Sequence, residues 1–253
     1  MSAAAAARLR PTISAVLPAY NEAASLEATV RGLAPELARV SGAWEILVVD
    51  DGSTDATAEV AGRLAGAQWG LILLRHPRNM GYGAALRTGF SAAHYEWILL
   101  VDADGQFLPA EVQRLVAAAE SADLVAGVRT RRADPWHRRS YARIWRALMR
   151  VTLGVQIADL NCGFKLMRTA LIQSLDLRAG GALISAELLA KAARAGARLV
   201  EVPVSHVPRA HGTQTGGSIR VLLRAYWELV RLGWQIRRFG VSRREDRPNK
   251  TVI

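Results

Sequence analysis

The 253-residue sequence contains little cysteine, little lysine and no long apolar run without charges. Its one cysteine, Cys162, excludes an internal disulfide and a zinc site built from several cysteines. Only three of its 33 Lys and Arg side chains are lysines, so arginine carries almost all of the positive charge. The most apolar long segment, residues 219–239, is interrupted by charged side chains, whereas a membrane span needs about 20 residues nearly free of charge. The sequence therefore predicts no spanning helix.

Charge divides the chain into two halves. Hydrophobic residues make up 51% and charged residues 22% of the sequence, which is typical of a folded core and excludes wholesale disorder. Residues 1–126 carry 9 basic and 14 acidic side chains, whereas residues 127–253 carry 24 and 8. A nucleic-acid binder would account for the basic half alone, so we expect no nucleic-acid partner and two different tasks in one chain. The alanine-rich start is too weak for a secretory core; we expect residues 1–11 to be a flexible tail and the protein to be cytoplasmic.

Short apolar runs alternate with helical patterns, which favours a parallel sheet covered by helices on both faces. The predicted strands are residues 13–17, 45–49, 71–74, 97–101, 124–128, 163–167 and 198–207. The predicted helices are residues 26–40, 56–65, 84–93, 110–119, 184–194 and 218–239, the last followed by a charged tail, residues 240–253. Polar residues follow the first four strands, and ligands of such sheets bind at the carboxyl ends of the strands.

Two carboxylates and a glycine turn follow the second predicted strand. Asp50 and Asp51 stand at its end, before Gly52 and Ser53. A helix N-cap would explain the serine, but it does not explain two adjacent acids that repel each other. The pattern therefore favours a binding site over a simple strand–turn–helix connection.

A second acidic pair follows the fourth predicted strand. Asp102 and Asp104 are separated by one residue in a turn, so their carboxylates can face one point, and Gln106 can add a carbonyl oxygen. Hard dications prefer such oxygen ligands, and Mg²⁺ is usually held by one or two carboxylates together with substrate phosphates. The alternative is a solvated turn, but a buried strand before the pair favours a metal site.

These motifs together resemble the family-two glycosyltransferases of the GT-A fold, and within them the dolichyl- and polyprenyl-phosphate sugar synthases. The matching segments are residues 16–22, 48–55, 78–85, 102–106, 159–166 and 202–209. The resemblance covers residues 12–217, which it implies to be one GT-A catalytic domain: α/β, Rossmann-like, with a mostly parallel sheet sandwiched by helices. One departure is Tyr82, at a position in the third loop where many relatives carry a basic residue.

The resemblance also implies a nucleotide-diphospho-sugar donor, with GDP-mannose and UDP-glucose both open, and a Mg²⁺ or Mn²⁺ cofactor. Asp102 and Asp104 would hold the metal and the diphosphate, with Gln106 as the third protein ligand. The residues that would line or support the nucleotide are Pro18, Tyr20, Glu22, Asp50, Asp51, Ser53, Asp102 and Ala103.

On the acceptor side, the resemblance implies phosphate contacts from Arg129 and Arg209 and a position near the sugar for Asp159. The implied catalytic set is Asp104, Asp159, Arg129 and Arg209. Glu187, grouped with the acceptor-binding residues, is a candidate to bind a sugar hydroxyl. An equal alternative is that Glu187 is only a polar residue on the flank of a helix. His206 and His211 are interpreted as loop or strand residues first and as ligands second.

The basic half contains two helical patterns with narrow arginine stripes. Within the basic amphipathic segment, residues 129–161, one stripe consists of Arg139, Arg143, Arg146 and Arg150; the other, in the amphipathic helix 218–239, consists of Arg220, Arg224, Arg231 and Arg238. Trp227 and Trp234 flank the second stripe. A helix packed on the domain with its charges in solvent would explain one arginine stripe. Two such stripes with adjacent tryptophans favour binding to an anionic membrane surface.

The predicted function is metal-dependent, inverting transfer of a hexose to polyprenyl or dolichyl phosphate. We expect peripheral association with the cytoplasmic face of the membrane, alone or with a separate membrane subunit, and acceptor contacts from Arg139, Arg143 and Arg146. Two alternatives remain: a transferase acting on a soluble or polysaccharide acceptor, and a non-catalytic nucleotide-sugar or membrane-binding protein. The intact Asp-x-Asp-x-Gln run argues against the second.

Overall fold

The computed structural model describes residues 10–67, 70–130, 157–181 and 183–208. They contain a seven-stranded sheet in the order β3-β2-β1-β4-β6-β5-β7. The strands are β1 (Thr12–Ala19), β2 (Ala43–Asp50), β3 (Leu71–Arg75), β4 (Trp97–Val101), β5 (Leu124–Arg129), β6 (Phe164–Arg168) and β7 (Leu199–Val204). Every pair of neighbours is parallel except those made by β6, which runs antiparallel between β4 and β5. The predicted mostly parallel α/β sheet is confirmed.

Helices cover both faces of this sheet. They are α1 (Ala23–Val40), α2 (Thr57–Ala65), α3 (Tyr82–Ala92), α4 (Val112–Ala118), α5 (Thr169–Gln173) and α6 (Leu183–Arg194), and short 3₁₀ turns at Pro109–Glu111 and Ala119–Ser121 flank α4. The sequence pattern predicts each of the longer helices to within a few residues. It does not predict α5, whose five residues are too few for a helical period.

The side chains of each central strand alternate between two apolar layers. In β1, Ile13, Ala15 and Leu17 pack with α1, α2 and α4, whereas Val16 packs with α3 and α6. This alternation follows from the two-residue period of a strand. Both layers are buried, which explains why the strands are continuous apolar runs.

The seventh strand ends earlier than predicted. The sequence pattern extends it from residue 198 to 207, but β7 ends at Val204, followed by an isolated bridge between Phe107 and His206. The backbone N–H of Ser205 donates to Glu111 Oε2 at 2.8 Å instead of to a strand. A buried carboxylate therefore ends the strand and fixes the chain that follows it.

The basic segment between residues 131 and 156, the helix predicted at 218–239 and both predicted tails, apart from residues 10 and 11, lie outside the described residues. The predicted domain boundaries therefore stay predictions. Within the described ranges, no helix has the length and the apolar character that crossing a membrane requires.

Candidate functional site

The loops after β1 and β2 are tied together at the carboxyl edge of the sheet. The side chain of Asn21 accepts a hydrogen bond from the Thr54 backbone N–H at 2.8 Å, and the Asn21 N–H donates to Ser53 Oγ at 3.0 Å. The Glu22 N–H donates to Thr57 Oγ1 at 2.8 Å. Asn21 has a φ of 57°, a conformation that Asn tolerates better than most side chains. Both loops therefore form one rigid rim.

Asp50 lies fully buried at this rim. Its Oδ1 accepts the Ser53 N–H at 3.0 Å, and its Oδ2 lies 3.2 Å from Arg75 Nε without a hydrogen bond from any described residue. A cleft of about 450 Å³, lined by Gly52, Ser53, Arg75, His76 and Pro77, lies beside it. A buried carboxylate oxygen without a hydrogen bond is costly. The charge of Arg75, which also lines the cleft, offsets the charge of this carboxylate.

Asp51 organises the third loop, which follows β3. Its two oxygens accept the backbone N–H groups of Met80 at 2.9 Å and Gly81 at 2.8 Å. Its Oδ1 also lies 2.7 Å from His76 Nδ1, and His76 Nε2 lies 2.9 Å from Thr88 Oγ1. His76 is not among the residues predicted from the sequence, although its place directly after β3 is the same signal that identified the acidic pairs.

The turn between Asp51 and Ser53 depends on glycine. Gly52 has a φ of +67°, and a Cβ built on it would lie 2.2 Å from the backbone carbon of Arg78. Any side chain here would therefore be strained and would push the second and third loops apart. This close approach brings the cleft beside Asp50 next to the loop held by Asp51.

The second acidic pair lies at the end of β4. Burial, and next the nearby Asp104 carboxylate, raise the pKa of Asp102 to about 6. Asp102 Oδ1 accepts the Tyr82 hydroxyl at 2.9 Å, and a Cβ on Gly163 would lie 1.8 Å from Asp102 Oδ2. A buried carboxylate that resists ionisation beside a second carboxylate fits a dication, which would stabilise the charged form of Asp102.

Gln106 joins this turn to the chain beyond β7. Its side-chain Nε2 donates to the Val207 carbonyl at 3.0 Å, and its backbone carbonyl accepts the Val207 N–H at 2.9 Å. In this orientation the side-chain carbonyl oxygen is the Gln106 atom available to a cation. The described residues contain no group of three His, Cys, Asp or Glu side chains arranged around one metal position. The set Asp102, Asp104 and Gln106 stays a prediction.

His206 follows β7 and lies near Asp104 and Asp159. Its ring packs edge-on against Phe107 with centroids 5.2 Å apart, and Phe107 stacks on Phe164. Burial, and next the Arg129 charge, lower the pKa of His206, while Asp104 and Asp159 act in the opposite direction. The imidazole near these carboxylates is therefore held in its neutral form.

Arg129 and Asp159, both predicted to be catalytic, are joined to each other. Arg129 Nε lies 2.6 Å from Asp159 Oδ2, and its terminal nitrogen lies 2.8 Å from Oδ1. Both side chains are largely buried. A bidentate pair of this kind is directional and strong, so the Asp159 carboxylate orients the guanidinium at the end of β5.

Lys165 lies on β6 and is only 1% exposed. Its Nζ donates to the carbonyls of Leu160, at 3.2 Å, and Cys162. Burial lowers the pKa of Lys165, and the charges of Asp102 and Asp159 partly oppose this shift. The lysine therefore holds the turn that carries Asp159.

Glu187 is placed differently from what an acceptor-binding residue requires. It is fully buried in α6: Oε1 accepts Lys191 Nζ at 2.6 Å, and Oε2 accepts the backbone N–H groups of Arg178 and Ala179 at 2.9 and 2.7 Å. Its carboxylate holds the loop before α6, so the structure does not support the acceptor role.

The remaining predicted residues divide into two groups. Pro18 lies in β1 and Tyr20 follows it, 43% exposed at the rim; Ala103 is buried, and its carbonyl accepts Ser25 Oγ at 2.9 Å. No contact among the described residues tests the predicted nucleotide-binding roles of these three residues. Arg139, Arg143, Arg146, Arg209 and His211 lie outside the described residues.

Comparison with known proteins establishes the class: residues 14–176 match glycosyl transferase family 2, and the chain belongs to this family. It is 35% identical over 225 residues to the undecaprenyl-phosphate 4-deoxy-4-formamido-L-arabinose transferase of Salmonella choleraesuis (strain SC-B67), over 86% of this chain. The chain spans 66% of the length of that relative.

Among solved structures, glucosyl-3-phosphoglycerate synthase from Mycobacterium tuberculosis with phosphoglyceric acid superimposes with a TM-score of 0.64 at 24% identity, covering 96% of this chain and 83% of that one. The same enzyme in complex with Mn²⁺, uridine diphosphate and phosphoglyceric acid gives 0.63 at 25% identity, covering 96% and 81%. The first comparison supports the GT-A fold; the second is with an enzyme that was solved with a nucleotide and a metal ion.

Proposed function

We propose that this protein transfers a sugar from a nucleoside-diphosphate donor to a polyprenyl phosphate. The observation that carries the proposal is that two acidic pairs lie at one edge of the sheet: Asp50 and Asp51 at the end of β2, beside a cleft, and Asp102 and Asp104 after β4, with β1 between these strands. Membership of glycosyl transferase family 2 and the identity to an undecaprenyl-phosphate sugar transferase support it.

The donor would bind with its base in the cleft beside Asp50 and its diphosphate near Asp102 and Asp104. The buried Oδ2 of Asp50 offers an acceptor to a base N–H. Asp102, Asp104 and Gln106 are the residues that would hold Mg²⁺ or Mn²⁺, and the ion would offset negative charge on the departing diphosphate. The neighbour solved with Mn²⁺ and uridine diphosphate supports this assignment.

The acceptor phosphate supplies its own nucleophile. Its oxygen is already anionic, so the reaction requires no strong general base. Asp159 fits this mechanism as an orienting group, because both of its oxygens hold Arg129. The oriented guanidinium would pair with a phosphate oxygen, and attack from the side opposite the diphosphate would invert the anomeric configuration.

A membrane surface would bring the lipid to this site. The arginine stripes at 139–150 and 220–238, with Trp227 and Trp234, support peripheral association with the cytoplasmic face through anionic headgroups. A separate membrane subunit would serve the same purpose. Flotation with anionic liposomes at low and high salt tests the direct contact: protein that stays at the bottom at low salt would exclude it.

A soluble acceptor is the second candidate. The neighbour that binds phosphoglyceric acid is 25% identical to this chain, and a phosphorylated acid could use the same guanidinium groups. This function would make the arginine stripes solvated helix faces.

The deciding experiment incubates the full chain with radiolabelled nucleotide sugars and either undecaprenyl phosphate or 3-phosphoglycerate, with Mg²⁺, Mn²⁺ or EDTA. The donors include UDP-glucose, GDP-mannose and a nucleotide-linked 4-deoxy-4-formamido-L-arabinose. We expect metal-dependent label in the organic extract. Label in the aqueous phosphoglycerate product would favour the second candidate, and no transfer to either acceptor would contradict both.

A further inference from the structure

Tyr82 connects the third loop to the acidic pair at the end of β4. It is the first residue of α3, and its ring packs, half-buried, against the apolar layer beneath that helix. Its hydroxyl donates to Asp102 Oδ1 at 2.9 Å. This contact joins two loops that lie 20 residues apart in the sequence and follow different strands.

The backbone holds Tyr82 from both sides. Before it, the N–H groups of Met80 and Gly81 donate to the Asp51 carboxylate. After it, the Gly83 N–H donates to the Gly180 carbonyl at 2.9 Å. The position of the hydroxyl is therefore set by backbone contacts independent of Asp102.

Asp102 is confined on its opposite side as well. Its N–H donates to the Gly163 carbonyl at 3.2 Å, and the space that a Cβ of Gly163 would need is filled by Asp102 Oδ2. Asp102 Oδ1 therefore contacts the Tyr82 hydroxyl, and Asp102 Oδ2 lies against the backbone of Gly163, which has no side chain.

We propose that Tyr82 is a positioning residue: its hydroxyl fixes the orientation of the Asp102 carboxylate for metal binding and couples that site to the loop held by Asp51. The inference rests on the proposed function in taking Asp102 as a metal ligand. Hydrogen-bond partners of metal ligands typically contribute 10–100-fold to metal affinity. The neutral tyrosine orients the carboxylate without adding a cation that would compete with the metal.

The test measures Mn²⁺ binding to the full chain by electron paramagnetic resonance in the absence of nucleotide. Tyr82→Phe keeps the ring and removes the donor, so we expect Mn²⁺ affinity to fall about tenfold in a protein that keeps the circular dichroism spectrum of the wild type. Tyr95→Phe is the matched control, because Tyr95 precedes β4 at the opposite edge of the sheet. We expect it to bind Mn²⁺ as the wild type does.

Asp102→Asn separates failure of this inference from failure of the proposed metal site. If Asp102→Asn abolishes Mn²⁺ binding while Tyr82→Phe binds normally, the positioning role is wrong and the metal site stands. If Asp102→Asn binds Mn²⁺ normally, the metal site itself is wrong and the inference falls with it. In the transfer assay, excess Mn²⁺ should restore the maximal rate of Tyr82→Phe, a rescue that general loss of structure would not show.

Discussion

The donor and acceptor sides of the sheet are built differently. On the donor side, the loops after β1–β4, acidic side chains bind backbone N–H groups, as Asp51 does with Met80 and Gly81. On the acceptor side, β5–β7 and the turn before β6, charged side chains bind each other or backbone carbonyls, as Arg129 does with Asp159. The donor side is therefore shaped by carboxylates that hold backbone turns, whereas the acceptor side depends on a pair of oppositely charged side chains and on a buried lysine.

The largest effect is expected on the donor side. Asp104→Ala removes a carboxylate that no described side chain can replace, so sugar transfer should fall by more than ~100-fold, beyond what loss of a partner of a metal ligand causes. Metal-dependent donor binding should disappear, as measured by calorimetry with the nucleoside diphosphate and Mn²⁺. Near-normal transfer in this variant would remove the metal site from the mechanism.

Variants of two buried lysines, Lys165 and Lys191, should affect stability and activity to different extents. Lys191→Met leaves the buried Glu187 carboxylate without its ammonium, which typically destabilises by about 3–5 kcal/mol. Lys165→Met leaves the carbonyls of Leu160 and Cys162 without their lysine donor, at about 1–3 kcal/mol. Denaturant unfolding measures both. We expect Lys165→Met to reduce the activity of the folded enzyme more, and the reverse order would contradict the different roles of the two lysines.

The Arg129–Asp159 pair can be tested with a double-mutant cycle. Because the two side chains share a bidentate contact, Arg129→Ala and Asp159→Ala should be strongly non-additive in transfer rate, with a coupling energy of about 0.5–3 kcal/mol. Their double variant should be little worse than Arg129→Ala alone. Independent, additive losses would show that each residue acts on substrate separately.

The raised pKa of Asp102 predicts a pH-dependent difference in stability. Its ordinary value is 3.8 and its folded value is about 6, so between these pH values the folded state binds more protons than the unfolded state. Stability of the metal-free protein relative to Asp102→Asn should therefore fall as pH rises from about 4 to 6, by on the order of 2 kcal/mol. Urea unfolding of both proteins across this range measures it, and a constant difference would contradict the shift.

The smallest effect is expected from the arginine stripe outside the described residues. Arg143 and Arg146 changed together to Ala should raise the apparent KM for the lipid by at most about 30-fold, since each of the two basic residues contributes up to about 1 kcal/mol near an anionic surface. The KM for the nucleotide sugar should stay unchanged. Equal changes in both constants would show that the stripe does not serve the lipid specifically.

The sequence predicts where the carboxylates of the donor side lie, because the signals for their positions are local. A carboxylate directly after an apolar run, such as Asp50 or Asp102, reaches the carboxyl edge of a parallel sheet whatever the strand order is. Lys165 could not be placed in this way, since its burial follows from the antiparallel insertion of β6 between β4 and β5. Glu187 was predicted to bind the acceptor, but Lys191 and the backbone N–H groups of Arg178 and Ala179 hold its buried carboxylate.

The measurement that tests the central claim most directly is an anomalous diffraction map from crystals of the protein grown with Mn²⁺ and a nucleoside diphosphate. The account predicts one Mn²⁺ peak in contact with the carboxylates of Asp102 and Asp104, bridged to the diphosphate, with the base in the cleft beside Asp50. A Mn²⁺ peak away from both aspartates, or a base bound outside that cleft, would contradict it.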